Sequence, residues 1–288
     1  MSTPTTRVAF HTMGCKTNFS ETSTLSREMI THGLQLVSFR DKADIYVLNS
    51  CSVTENADKE ARKLIRQARR RNPDAAVAVI GCYAQLHPAE IAAIPGVELV
   101  VGAAEKFNLF THLSSLKANG NATVIQSPIA TVQSFQPSFS AAERTRTYLK
   151  IQDGCDYNCS FCTIPLARGR SRSDNIANTV NIAQQIADTE AREIVLTGVN
   201  IGDYGIGANE DFFRLIQALD NVDGIDRFRI SSIEPNLLSE EIITFCAYSK
   251  KFVPHFHIPL QSGADTILRR MRRRYDTALY SSRIEQIN

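Results

Sequence analysis

The sequence predicts an α/β protein of two domains: an N-terminal parallel α/β sheet, then a partial TIM-like barrel of βα units, incomplete at its C-terminus. Three observations predict it. Short apolar runs alternate with helix-period stretches in both halves, which is the pattern of βα units and parallel sheets. Cysteines or Gly/Ser/Asn loops directly follow the apolar runs, where open α/β sheets and barrels carry their ligand loops. A stretch of Gly, Asn, Ser, Pro, Gln and Thr with little periodicity separates the halves. The expected boundaries are 1–117, 118–145 (linker) and 146–288, and 288 residues suffice for two cores.

In the first half, Val8–Thr12, Ile45–Asn49, Val77–Ile80 and Val97–Val101 read as strands. Ala57, Ala61, Leu64, Ile65 and Ala68 fall at helical spacing, a short helix is expected near Pro88–Ile94, and a short linker strand at Ala122–Ile125. In the second half the expected strands are Thr147–Gln152, Ile194–Thr197, Phe228–Ser231 and His255–Ile258. The expected helices are Asn175–Thr189 with Asp174 as N-cap, Asp211–Leu219, Ser239–Tyr248 and Ala264–Arg272.

Composition is that of an ordinary globular chain, 43% hydrophobic and 22% charged, with a net charge of only +2. No apolar run approaches a membrane span and the N-terminus lacks a signal-peptide layout, so a cytoplasmic protein without membrane association is expected. Thiols stay reduced there, and seven cysteines then suggest metal binding or chemistry rather than disulfides. Cys155, Cys159 and Cys162 form a C-x3-C-x2-C run. Three thiolates leave one metal position open, where a closed structural site wants four ligands. A zinc knuckle completed by a His is the rival reading. Cys15, Cys51 and Cys82 each sit just past the end of an expected strand. Parallel strands would bring all three to one sheet edge, whereas isolated buried thiols are the alternative. Cys246 falls in a helical pattern with Ile242, Ile243 and Phe245 and reads as structural.

The Cys155–Cys162 run, with Phe161 before the last cysteine, resembles the cluster motif of radical S-adenosylmethionine (SAM) enzymes. Gly14-Cys15-Lys16-Thr17-Asn18, Asn49 through Ala57, and Gly81-Cys82-Tyr83-Ala84-Gln85 are similar to the three cysteine motifs of the radical SAM methylthiotransferases. The resemblance implies two 4Fe–4S clusters, one on each cysteine triad and each with one open iron. SAM would chelate the open iron at Cys155/Cys159/Cys162, with Phe161 flanking its adenine. The loops 197–200, 231–235 and 259–263 resemble the SAM-side loops of that barrel, making Gly198, Asn200, Glu234 and Gln261 candidate SAM-binding residues. The family's barrel has six βα units followed by a small RNA-binding β-barrel. About four units fit here, so the chain is expected to be C-terminally truncated.

The implied reaction is methylthiolation of tRNA beside the anticodon, with a reductant protein such as flavodoxin or ferredoxin as partner. SAM cleavage supplies a 5′-deoxyadenosyl radical and the other cluster carries the sulfur, while the protein positions cluster, SAM and substrate. The motifs look most like the branch acting at C2 of N6-threonylcarbamoyladenosine. The branches acting on N6-isopentenyladenosine or on a ribosomal-protein aspartate are the alternatives, and a two-cluster electron carrier or non-catalytic RNA-binding protein is the different class. Arg168, Arg170 and Arg172 begin six residues after Cys162 and are candidate substrate-binding residues, since the threonylcarbamoyl adduct ends in a carboxylate. Arg69–Arg71 and Arg269–Arg274 are further basic clusters suited to phosphate or to a solvated face.

Overall fold

The computed structural model describes residues 5–51, 55–116, 121–141 and 146–288, without the side chains of Glu55 and Asn56. Two compact units are present. One comprises Met1–Val132 together with Leu166–Gly169, the other Gln133–Pro165 and Arg170–Asn288. The chain therefore enters the second unit, returns to the first for one short segment, and leaves again.

In the first unit β1 (Arg7–Thr12), α1 (Lys16–Thr31), β2 (Gln35–Val37), β3 (Ile45–Ser50), α2 (Glu55–Arg71), β4 (Ala76–Gly81), α3 (Cys82–Leu86), α4 (Pro88–Ala92), β5 (Leu99–Val101), α5 (Leu109–Ser114) and β6 (Thr123–Ile125) follow one another. The six strands form one sheet in the order β2-β1-β3-β4-β5-β6. Every neighbouring pair is parallel. Both faces are covered, which is why the strands read as apolar runs rather than as alternation. Tyr46, Leu48, Val77 and Val79 pack with Ala61, Ile65 and Ala68 of α2. Val47, Ala78 and Ile80 point the other way, to Leu25 and Met29 of α1.

The second unit holds β7 (Ser138–Phe139), β8 (Thr147–Lys150), β9 (Gln152–Asp153), α6 (Ile164–Arg168, whose last residues belong to the first unit), β10 (Arg172–Ser173), α7 (Ile176–Ala187), β11 (Glu193–Thr197), α8 (Phe212–Leu219), β12 (Arg227–Ile230), α9 (Glu240–Tyr248), α10 (Asp265–Arg270) and α11 (Thr277–Ile287). The order β12-β11-β8-β7 has parallel pairs except for β7, which runs antiparallel to β8. A core of Leu149, Ile194, Leu196, Phe228, Ile230 and the inner faces of α7, α8 and α9 covers this sheet.

Two expectations are corrected. His255–Ile258 is not a strand; the chain beside β12 makes only single parallel bridges, Phe228–Phe252 and Ser232–His257. Pro254 lacks the N–H a ladder needs at that point. The N-cap of α7 is Asn175, whose Oδ1 accepts the Asn178 N–H at 2.8 Å, rather than Asp174. Of the expected linker, residues 118–120 and 142–145 lie outside the described residues, as does the Ser52–Thr54 part of the second cysteine motif.

Candidate metal centres

Cys15 follows β1, Cys51 follows β3 and Cys82 opens α3 directly after β4. Those three strands are parallel neighbours, so the three thiols lie at one edge of the sheet. Gly14 has φ +86°, and a Cβ on it would stand 2.8 Å from both Cβ and Sγ of Cys51. The glycine is what lets the Cys15 loop close on the Cys51 loop. Burial pushes the Cys82 thiol up, with Arg168 and Lys106 pulling it down and Cys15 adding to the rise.

The loops are tied by Asn18, buried at the start of α1. Its Nδ2 donates to Met13 O at 2.9 Å and to Ser50 O at 3.1 Å. Its Oδ1 accepts from Arg168. Arg168 also pairs with the buried Glu21 at 3.2 Å, and Lys106 Nζ meets the same carboxylate at 2.7 Å. Two cations on one anion leave a net positive charge inside the first unit. A buried carboxylate tolerates removal from water only with such partners.

In the second unit Cys155, Cys159 and Cys162 occupy a loop whose neck is closed by the antiparallel pairing of β9 with β10. Gln152 is the hub of that neck. Its Nε2 donates to Gly154 O at 2.7 Å and to Ser171 Oγ at 2.9 Å, while its Oε1 accepts the N–H groups of Val199 and Asn200, both at 2.9 Å. A Cβ on Gly198 would lie 2.9 Å from Gln152 O, so glycine permits this approach. Burial pushes the Cys155 thiol up to about 12, and Cys162 and Cys159 add to the rise. Burial likewise raises Cys162, with Cys159 contributing.

The segment after α10 reaches this loop. Ser160 N–H donates to Met271 O at 3.2 Å, Arg273 Nη1 to Cys159 Sγ at 3.1 Å, and Arg274 Nη2 to Asp156 O at 3.2 Å. Arg274 also lies 3.9 Å from the Tyr157 ring centroid. Arg273 pairs with Glu234, whose carboxyl is raised by burial against the pull of that arginine. Sequence reasoning left Gln152, Glu21, Lys106 and Arg273 unassigned. Only the run Arg269–Arg274 carried a signal, and it was that of a basic cluster.

The other expected site residues divide. Phe161 is 54% exposed. Asn200 is buried, its Nδ2 donating to Asp203 at 2.7 Å. Gln261 has a left-handed backbone, φ +62°. Arg168, expected to meet substrate, is instead 2% exposed and enclosed by Glu21 and Asn18. Arg172 is held by Asp153 at 3.3 Å and by Ser134 O at 3.0 Å. Arg170 has its side chain 85% exposed and touches Asp156 at 3.4 Å. Arg69 Nη1 donates to Ala75 O at 3.1 Å and Arg71 lies 5.7 Å from the Phe39 ring centroid, so both serve local packing.

Comparison with known proteins bears on these centres. Residues 7–102 match the uncharacterized protein family UPF0004, and residues 149–286 match the radical SAM superfamily. The threonylcarbamoyladenosine tRNA methylthiotransferase MtaB of Bacillus subtilis (strain 168) is 41% identical over 97% of this chain and 63% of its own length. The protein of the same name from Aquifex aeolicus (strain VF5) is 37% identical over 95% of this chain and 67% of its own length. This chain belongs to the MtaB-type radical SAM methylthiotransferase family. It spans less than two thirds of the Bacillus relative. The fold is also that of a solved radical SAM methyltransferase, TsrM from Kitasatospora setae, at a TM-score of 0.68 and 13% identity over 97% of this chain and 65% of that one.

Radical SAM membership brings an iron–sulfur cluster and SAM. The donor set at Cys155, Cys159 and Cys162 fits a cluster: three thiols, each buried in part and two of them raised, gain most from bound iron, which favours thiolate. Among the described residues no group of three or more His, Cys, Asp or Glu side chains is placed to hold a single metal ion. Thiolates of a four-iron cluster bind separate irons and need not converge on one point. Asn200 Oδ1, Ser231 Oγ and Asn236 Oδ1 are buried polar atoms without a hydrogen-bond partner, two of them directly past β11 and β12. Such atoms fit a polar ligand at the C-terminal ends of barrel strands. Among the described residues no helix is long and apolar enough to cross a membrane.

Proposed function

We propose that this methylthiotransferase-family chain acts in radical SAM-dependent methylthiolation at C2 of N6-threonylcarbamoyladenosine beside the tRNA anticodon. The observation that carries the reading is the pair of strand-end cysteine triads. Cys155, Cys159 and Cys162 would hold the cluster that binds SAM, and Cys15, Cys51 and Cys82 a second 4Fe–4S cluster. Gly198, Asn200, Glu234 and Gln261 would line the SAM site, with Phe161 at the adenine. Bound there, cluster and SAM supply the radical chemistry that an unactivated carbon requires.

The chain's own residues orient and neutralise. Asn18 and Gly14 hold the Cys15 and Cys51 loops together, and Gln152 fixes the cluster loop to the Gly198–Asn200 loop. Of the three candidate arginines, Arg170 is the one with an exposed guanidinium, and it supports recognition of the carboxylate of the threonylcarbamoyl group. Arg168 and Arg172 act in place, through Glu21 and Asp153. A flavodoxin- or ferredoxin-like reductant and a cytoplasmic setting complete the reading.

The test is competition. The anaerobically reconstituted protein is offered threonylcarbamoyl-tRNA and isopentenyl-tRNA together, and methylthiolated nucleosides are measured by mass spectrometry. Preference for the threonylcarbamoyl substrate is expected, with Arg170→Ala raising KM for that tRNA selectively. Preference for the isopentenyl substrate would reject the assignment.

A further inference from the structure

We propose that Arg273 is a positioning residue that sets the reduction potential of the cluster held by Cys155, Cys159 and Cys162, by donating an N–H to Cys159 Sγ with Glu234 as its opposing charge. The inference rests on the proposed placement of a 4Fe–4S cluster at that triad. The contact is direct: Arg273 Nη1 lies 3.1 Å from Cys159 Sγ. The side chain is 4% exposed, so water screens the guanidinium little. Its other terminal nitrogen donates to the Glu234 carboxylate.

The arginine is held where it is by its backbone. Arg272 has φ +59°, a left-handed turn directly after α10 and Met271. On either side of Arg273 the chain is bonded to the cluster loop, through Met271 O to Ser160 and through Arg274 to Asp156. The guanidinium also sits 5.3 Å from the Tyr275 ring centroid. These contacts fix the fork on the sulfur rather than leaving it to solvent.

The electrostatic consequence has a definite sign. Hydrogen bonds to cluster sulfurs, net charge and solvent exposure set the potentials of such clusters. One electron taken from an external donor makes the cluster more negative by one charge. A buried cation on a ligand sulfur stabilises the reduced form more than the oxidised one, and so raises the potential. Glu234, the anion on the far side of the same guanidinium, pulls the other way.

The test uses the chain with Cys15, Cys51 and Cys82 replaced by alanine, so that a single cluster is titrated. It is reconstituted anaerobically with ferrous iron and sulfide. The midpoint is then read by dithionite titration with redox mediators and electron paramagnetic resonance. Arg273→Met should lower the midpoint, Arg273→Lys should fall between that variant and the parent, and Glu234→Gln should raise it. Unchanged midpoints with iron retained would overturn the inference, as would shifts of the same sign for Arg273→Met and Glu234→Gln. If Arg273→Met holds no iron, Glu234→Gln decides: a raised midpoint supports the role, and an unchanged or lowered one removes it. A parent chain that binds no iron overturns the cluster assignment itself, and the inference with it.

Discussion

Asn18 directs one amide nitrogen at two carbonyls, Met13 O and Ser50 O, which lead into Cys15 and Cys51. Asn18→Ala leaves both without this donor in a buried place, at a cost of about 2–3 kcal/mol. The expected result is a lower urea midpoint together with loss of iron from the N-terminal triad alone. Full iron occupancy in the variant would show that the loops hold their positions without it. Asn200 carries a buried Oδ1 without a partner, and its loss should weaken SAM binding by about tenfold, or about 1.4 kcal/mol, read by equilibrium dialysis with the cluster intact. Asp203 gives a pH dependence. Burial pushes its carboxyl from 3.8 up to about 6, against the hydrogen bond from Asn200. Between those values the folded protein binds more protons at this site than the unfolded chain, so this group's contribution to stability falls as pH rises from about 4 to about 6. Asp203→Asn should remove that portion of the slope. A wild-type-minus-variant difference that stays flat across the window would count against it. Cys246 is buried among core residues and its thiol is pushed up to about 12, so native-state alkylation at pH 8 should spare it.

At the scale of elements, the strand ends do the positioning. Gly81 ends β4 with φ +95°, and a Cβ there would lie 2.5 Å from Ser50 O at the end of β3. Gly81→Ala forces both a strained dihedral and a backbone clash between the two strands that present Cys51 and Cys82. A destabilisation of about 2–3 kcal/mol is expected in urea unfolding. The helices are more forgiving. Asp211 caps α8 by accepting the Arg214 N–H at 2.8 Å, and Asp211→Ala should cost about 1 kcal/mol without changing iron content. Strand and helix positions were largely legible because apolar period and turn residues are local signals. The region 251–258 was not: its apolar residues do face β12, as the 5.2 Å stacking of Phe228 on Phe252 shows, yet Pro254 interrupts the ladder. Asp174 and Asn175 are both good caps by type, and only the backbone direction chose between them.

At the scale of the whole molecule, two triads predict about eight irons per chain after reconstitution, from two four-iron clusters. Replacing Cys15, Cys51 and Cys82 with alanine should remove about half. Retention of all the iron in that triple variant would mean that the N-terminal centre is not a cluster site. The same variant should still cleave SAM when reduced, yet transfer no methylthio group. Loss of cleavage with the second cluster intact would refute that division of labour. Within the first unit, Leu166–Gly169 is the segment that sequence order would have placed elsewhere.

By itself the sequence determined the α/β class, the parallel strands of the first unit and the two cysteine triads. Each of these depends on residue type at short spacing: period for the elements, and thiols directly after strands for the centres. Tertiary structure alone decided what the charged residues do. Arg168 and Arg170 stand two residues apart and look alike in sequence. One is enclosed with Glu21, Asn18 and, through Glu21, Lys106, while the other has its guanidinium in water. Arg273 is one of a basic run, and its hydrogen bond to Cys159 spans residues far apart in the chain. Charge is a property of one residue, but burial and partner belong to the fold. That is why the metal ligands could be read in advance and the residues that orient and polarise them could not.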